Sequence, residues 1–167
     1  MTDAPTLSHV DDQGRARMVD ISHKGSTART AVAEGRVIVG AEALRLIREN
    51  NLRKGDALAV AQVAGVLGAK QTSRLIPLCH DVLLQNIEVE FEIDDAAGAV
   101  AVRAITKTDG PTGVEMEALT AVTVAALTVY DMCKSVTPTI EITDVRLLAK
   151  SGGRGGDYRR PADAARN

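Results

Sequence analysis

A chain of 167 residues, 45% hydrophobic and 25% charged, has the size and composition of one folded domain, and we treat residues 1–167 as a single domain. Its net charge of -2 argues against a general nucleic-acid binder, because such proteins usually carry a basic balance. Aromatic residues make up only 2% of the chain, so we expect a core of Ala, Val, Leu and Ile.

The sequence shows neither a signal-peptide pattern at its start nor an uncharged apolar run long enough to span a bilayer. We therefore expect a cytoplasmic protein that does not bind a membrane. In a reducing cytosol, Cys79 and Cys133 are expected to be free thiols. The histidines and cysteines do not follow a metal-ligand spacing, so we expect no metal site.

The first half of the chain predicts one strand and two helices. We expect residues 1–17 to form a flexible arm, because they are polar and mixed. The β-branched run 36–40 predicts a strand, and the periodicity of 41–50 and 57–74 predicts helices. Asp56 is placed to cap the second of these helices.

The second half predicts a hairpin, a long helix and a last strand. Apolar and acidic residues alternate strictly over 86–94, and 98–106 alternates as well, which predicts an antiparallel pair. The apolar stretch 112–134 predicts a long helix, 139–150 a final strand, and 151–167 a glycine-rich basic tail. The order β, α, α, β, β, α, β is typical of an α+β, ferredoxin-like antiparallel sheet with helices packed on one face.

The long helix carries charge at both ends. Glu117 and Asp131 project from one broad face, and Asp131 and Lys134 have the spacing of a helical ion pair. An exposed pair of little consequence is one interpretation. We favour a functional pair, because an apolar helix predicts a buried setting in which charge must be paired or used.

The two ends are too far apart to act on one atom. Glu117 and Asp131 are separated by about 21 Å along a helix axis. Two antiparallel copies would bring the start of one helix to the end of the other, so the sequence predicts sites at a subunit boundary. Glu115 also has a simpler interpretation, since Thr112 and Glu115 fit a capping box.

Other candidate groups are cationic or lie near Pro77. Cys79 is interpreted as a small apolar residue, and His80 either donates to an anion or is a surface residue. Cations on loops and helix ends are typical of a polyphosphate site, although the sequence has no P-loop. These cations are Lys54, Lys70, Arg74, Lys150 and Arg154.

Several long motifs, in order from about Met18 to Tyr158, resemble the cyclic pyranopterin monophosphate synthase family of molybdenum cofactor biosynthesis. The motifs are MVDIS (18–22), KGD (54–56), AGVLGAKQTSRLIPLCH (64–80), TGVEMEALTAVTVAALTVYDMCK (112–134) and VRLLAKSGG (145–153). The resemblance implies a ferredoxin-like fold and a homohexamer built from dimers, with active sites at dimer interfaces. It also implies conversion of 3′,8-cyclo-7,8-dihydroguanosine 5′-triphosphate to cyclic pyranopterin monophosphate, with release of diphosphate.

The resemblance assigns roles residue by residue. The family's catalytic aspartate falls on Asp131, its companion lysine on Lys134 and the functional lysine of the KGD motif on Lys54. Either lysine is a candidate for the proton-transfer group. Substrate-binding positions fall on Leu78, Cys79, His80, Met116, Glu117, Lys70, Lys150 and Arg29. No cofactor is implied as required, and Mg²⁺ accompanying the triphosphate is left open.

Two positions depart from the family pattern: Pro111 stands where relatives often have lysine, and Asp81 where proline is usual. An alternative function is a non-catalytic nucleotide-binding regulatory module, which would explain the cations but not the Asp131–Lys134 pair. An RNA-binding domain of this fold is disfavoured, because it needs strand aromatics and the hairpin offers only Phe91.

Overall fold

A computed structural model describes residues 13–161, so most of the expected arm and the end of the tail lie outside the described residues. In chain order the elements are β1 (Thr27–Ile38), α1 (Ala41–Arg48), α2 (Ala57–Lys70), α3 (Thr72–Leu75), β2 (Asn86–Asp94), β3 (Ala99–Gly110), α4 (Glu115–Cys133), β4 (Glu141–Ser151) and β5 (Tyr158–Arg159).

The strands form one five-stranded sheet in the order β2-β3-β1-β4-β5, and every neighbouring pair is antiparallel. The predicted α+β class and antiparallel sheet are therefore confirmed. β1 lies at the centre, where it pairs with β3 on one side and with β4 on the other.

One face of the sheet is the core face. Along β1 the buried side chains alternate, at Ala31, Ala33 and Val37. Gly35 continues this face, and a Cβ placed on it would lie 2.7 Å from Val122 Cγ1 of α4. Only glycine therefore lets α4 lie this close to the central strand. The predicted alternation of β2 is also confirmed, since its apolar side chains contribute to the same core.

α2 and α4 pack against each other through small residues. A Cβ on Gly65 would come within 3.0 Å of the Ala121 carbonyl oxygen, and one on Gly68 within 2.8 Å of Val124. The predicted small-residue face of α2 therefore does let a second helix approach closely. Asp56 accepts hydrogen bonds from the backbone N–H groups of Leu58 and Ala59, which confirms the predicted cap.

Several boundaries differ from the prediction. β1 begins at Thr27 rather than at 36, because pairing on both sides extends a segment that is too rich in Ala, Thr and Gly to be recognised locally. The predicted helix 57–74 is interrupted at Gln71. The tail is partly ordered by β5, which pairs with β4.

α4 is long and apolar enough, by length and composition alone, to cross a membrane. Nine of its residues are nevertheless buried, and it packs on α2 and on the core face of the sheet. Core helices meet the same criterion, so α4 is weak support for a membrane span.

Candidate active site

The end of α4 holds a carboxylate between two ammonium groups. Lys54 Nζ lies 2.5 Å from Asp131 Oδ2 and donates to the Asp131 carbonyl oxygen at 3.0 Å. Lys134 Nζ lies 2.8 Å from Asp131 Oδ1, so the predicted i, i+3 pair forms. We call Lys54, Asp131 and Lys134 the C-terminal group. Each carboxylate oxygen has its own lysine.

The two lysines set the electrostatics of this group. Hydrogen bonds from Lys134 and Lys54 lower the pKa of Asp131 to about 2, and the carboxylate in turn raises the pKa of Lys134. At neutral pH Asp131 is therefore ionised, and so is Lys134.

The expectation that the Asp131–Lys134 pair is buried is wrong. The side chains of Lys134 and Asp131 are 57% and 52% exposed, because they lie on the solvent side of the last turn of α4, whose other side is buried through Met132 and Cys133. The pair is thus solvated at one end of a buried helix.

Lys54 reaches Asp131 from a turn that precedes α2. Gly55 follows it with a φ of 91°, a conformation that glycine adopts without strain, and Asp56 then caps the helix. The short turn therefore delivers Lys54 to α4 while fixing where α2 begins.

The start of α4 holds a different set of charges. Lys150 Nζ on β4 lies 2.9 Å from Glu115 Oε1. The capping box predicted for Thr112 and Glu115 is wrong, because Val114 is the N-cap residue and no side chain caps the helix. Glu115, the first residue of α4, is turned towards β4 instead, where it finds a cation.

Arg29 on β1 holds the turn that leads into α4. Its Nε donates to the Gly110 carbonyl oxygen at 2.9 Å and its Nη2 to the Pro111 carbonyl oxygen at 3.1 Å. The turn after β4 also approaches this guanidinium, since a Cβ placed on Gly153 would lie 2.2 Å from Arg29 Nη1. Arg29 therefore lies between two loops, near Lys150.

Glu117, two residues after Glu115 in the first turn of α4, is buried. It is 4% exposed, and burial together with the nearby Glu115 carboxylate raises its pKa to about 7. Among the residues that the structure describes, no cation pairs with it. Glu117 is thus a carboxyl group that exchanges its proton near neutral pH.

The segment Leu78–His80 runs close to this end of α4. Burial raises the pKa of the Cys79 thiol, and the charge of Glu117 adds to this rise. His80 Nε2 lies 2.7 Å from the carbonyl oxygen of Val19, so the segment preceding β1 covers the ring. Free cysteines were expected, and Cys79 and Cys133 are both unbridged.

We call the charged and polar residues around the start of α4 the N-terminal group. Its members are Arg29, Cys79, His80, Glu115, Glu117 and Lys150. Met116, half exposed on α4, and Leu78 adjoin this group in the chain. Lys70 ends α2 as an exposed residue, and among residues 13–161 no contact ties its ammonium to either group. The two groups lie about 21 Å apart along α4, so the chain does not join them within itself.

The two departures from the family pattern both have local partners. The Pro111 carbonyl oxygen accepts from Arg29, and the Asp81 carboxylate accepts a hydrogen bond from Ser73. Within residues 13–161, no cluster of three or more His, Cys, Asp or Glu side chains is arranged to hold a metal ion.

Sequence reasoning missed three features of the N-terminal group. The Glu115–Lys150 pair joins residues 35 apart in the chain, and Val19 reaches His80 across 61. From the sequence, the glycines after Lys150 are assigned to a family motif and to the tail but not to a turn, although consecutive glycines are a recognisable sign of a turn with positive φ.

The chain is similar to proteins of molybdenum cofactor biosynthesis over nearly its whole length. Residues 18–153 match the model of the MoaC family. A cyclic pyranopterin monophosphate synthase of Salinibacter ruber is 57% identical over 95% of this chain and 94% of its own length. One from Chloroflexus aurantiacus is 55% identical over 93% and 95%. Mouse molybdenum cofactor biosynthesis protein 1 is 54% identical over 92% of this chain but only 24% of its own length. The chain belongs to the MoaC family.

Proposed function

We propose that this chain is a cyclic pyranopterin monophosphate synthase, a lyase of molybdenum cofactor biosynthesis. It converts 3′,8-cyclo-7,8-dihydroguanosine 5′-triphosphate to cyclic pyranopterin monophosphate and diphosphate. The observation that carries this proposal is the Asp131 carboxylate held between Lys54 and Lys134, at the positions that match the family's catalytic aspartate and lysines. The names of relatives at 57% and 55% identity support the same reaction.

The C-terminal group has the parts that proton transfer needs. The guanine-derived ring system must open and close again, which moves protons and calls for general acids and bases. Lys54 and Lys134 each present an ammonium proton, and Asp131 orients both and balances their charge. Either lysine can serve as the proton-transfer group, with Asp131 as its partner.

The N-terminal group supplies charge for the triphosphate. Lys150, Arg29 and His80, together with Lys70 at the end of α2, neutralise phosphate oxygens and help diphosphate to leave. In the free chain Lys150 is held by Glu115, so anion binding replaces a carboxylate partner with a phosphate. We assign Leu78, Cys79, Met116 and Glu117 to binding of the ring system.

We propose that the complete site is formed by two subunits. The two groups lie at opposite ends of α4, and α2 leaves Val60, Val63 and Leu67 about half exposed, at 46%, 61% and 55%. Such an apolar stripe suits burial against a second copy. The assembly we propose is a homohexamer made of three dimers.

The finer fold assignment is also part of the proposal. The strand order β2-β3-β1-β4, with all neighbours antiparallel, supports a ferredoxin-like topology to which β5 is added. We further propose a cytoplasmic enzyme that needs no resident cofactor and binds neither nucleic acid nor membrane. Any Mg²⁺ would enter with the triphosphate.

The test is direct conversion. The protein is incubated with the cyclic dihydroguanosine triphosphate, and mass spectrometry follows substrate, pyranopterin and diphosphate. The proposed function predicts equal amounts of the two products, with guanosine triphosphate left unchanged as the control. Tight binding of the substrate without turnover would identify a nucleotide-binding regulatory module instead.

A further inference from the structure

Two buried threonines interrupt the otherwise apolar core face of β3. Every second residue from Val100 to Gly110 points to this face, and Thr106 and Thr108 are 0% and 2% exposed. A buried hydroxyl is unfavourable unless it makes a hydrogen bond, so the partners of these two side chains explain why the chain tolerates them.

The hydrogen-bond partner of Thr106 is Val114, the N-cap residue of α4. Thr106 Oγ1 donates to the Val114 carbonyl oxygen at 2.9 Å, and the same oxygen accepts the first helical hydrogen bond from the Ala118 N–H. Val114 is 1% exposed and immediately precedes Glu115 and the Met116–Glu117 pair. Thr106 thus fixes where the start of α4 lies on the sheet.

The hydrogen-bond partner of Thr108 is Leu83, in the loop that follows the proposed substrate-binding segment Leu78–His80. Thr108 Oγ1 donates to the Leu83 carbonyl oxygen at 2.8 Å, although the Leu83 side chain itself is 83% exposed. Leu83 follows His80 by three residues, so this bond fastens the loop that carries Cys79 and His80 to β3.

The two hydroxyls therefore attach both segments to one strand, where the backbone bond from Gln85 to Lys107 also holds the loop. Residues two apart on a strand lie on the same face, about 7 Å from each other. In this way β3 holds the loop with Cys79 beside the helix start with Glu117. The charge of Glu117 contributes to the raised pKa of the Cys79 thiol, in keeping with this arrangement.

We propose that Thr106 and Thr108 are positioning residues of the substrate site, whose hydroxyls hold the Leu78–His80 loop and the Met116–Glu117 turn at the spacing that binds the substrate. This inference rests on the proposed function. It separates binding from chemistry, because the C-terminal group lies at the other end of α4 and is held by its own ion pairs.

The inference is tested with the full-length variants Thr106→Val and Thr108→Val. Both substitutions keep the shape of the side chain and remove its hydroxyl. We expect KM for the cyclic triphosphate to rise about tenfold or more, since small misplacements of binding groups are costly, while kcat changes less than about threefold. Thr106→Ser and Thr108→Ser restore the hydroxyl and should return KM to within about twofold of wild type. Thr123→Val is the matched control, because its hydroxyl bonds only to Leu119 within α4.

Unchanged KM in folded valine variants would overturn the inference, and so would a loss of activity that merely follows the folded fraction and is not restored by serine. If a valine variant does not fold, Thr→Ala, which leaves room for a water, is judged by the same criteria. Absence of turnover by the wild-type chain would instead defeat the proposed function itself.

Discussion

Replacing Asp131 by asparagine removes one negative charge and keeps the shape of the side chain. In the native chain each oxygen of this carboxylate holds a different lysine, at 2.5 Å for Lys54 and 2.8 Å for Lys134. An amide cannot accept a proton from either ammonium, and it leaves two like charges without their counter-charge. We therefore expect Asp131→Asn to lower turnover at least about a hundredfold, the scale of losing a positioned acid–base partner.

The same geometry predicts a small effect on folding. The three side chains are about half exposed, so solvent already screens their attraction. Because the pKa of Asp131 is lowered to about 2, its contribution to stability is present above about pH 4 and is lost as the pH falls towards 2. At pH 7 the variant should remain folded, keep its oligomeric state and still bind the triphosphate.

The assay compares turnover with thermal unfolding and substrate binding. Asp95→Asn is the matched control, because Asp95 also forms an exposed ion pair, with Arg48 at 2.8 Å, and is not part of either group. The double variant Asp131→Asn, Lys134→Met removes both charges of the helical pair and should not recover turnover. Activity that falls only in step with the folded fraction, or that returns in the double variant, would refute a catalytic role.

Three further predictions concern the N-terminal group and assembly. Lys150→Ala should raise KM with the fold intact by circular dichroism, whereas Lys107→Ala, on the exposed face of β3, should not; equal kinetics of the two variants would make Lys150 an ordinary surface charge. Because the pKa of Glu117 is raised to about 7, its ionisation opposes folding as the pH rises from about 4.5 through 7. Glu117→Gln should therefore be more stable than wild type by roughly 1–3 kcal/mol at pH 8 and equal to it near pH 4, and a pH-independent difference in urea unfolding would contradict this. Sedimentation should give an even number of subunits, with six expected, and an active monomer at assay concentration would exclude a shared site.

The sequence predicted the features that depend on local patterns. The alternation of β2, the apolar length of α4 and the cap at Asp56 are all visible within one short segment. β1 was predicted from its last residues only, since the run from Thr27 to Gly35 is fixed as a strand by pairing with β3 and β4 rather than by its composition.

Less of the candidate site can be predicted from local sequence patterns, because its contacts join residues that are distant in the chain. Lys54 and Asp131 are 77 residues apart, and only the family resemblance placed them in one site. The sequence predicts a local cap at Glu115, whereas its partner is Lys150 on a strand distant in the chain. The exposure of Asp131 depends on which side of the last turn of α4 faces solvent, since Met132 and Cys133 in the same turn are buried.

The central claim is that one active site needs the C-terminal group of one subunit and the N-terminal group of another. It is tested by co-expressing Asp131→Asn and Lys150→Ala chains with different tags and purifying the mixed oligomers. Turnover is then measured at substrate concentrations below the wild-type KM. The matched mixture combines Asp131→Asn with Lys134→Met, whose defects lie in the same group.

If sites are shared between subunits, random mixing of Asp131→Asn and Lys150→Ala restores both intact groups at about one site in four. The account therefore predicts about a quarter of wild-type turnover in that mixture and no recovery in the matched one. Turnover no higher than the average of the two separate variants would contradict the account.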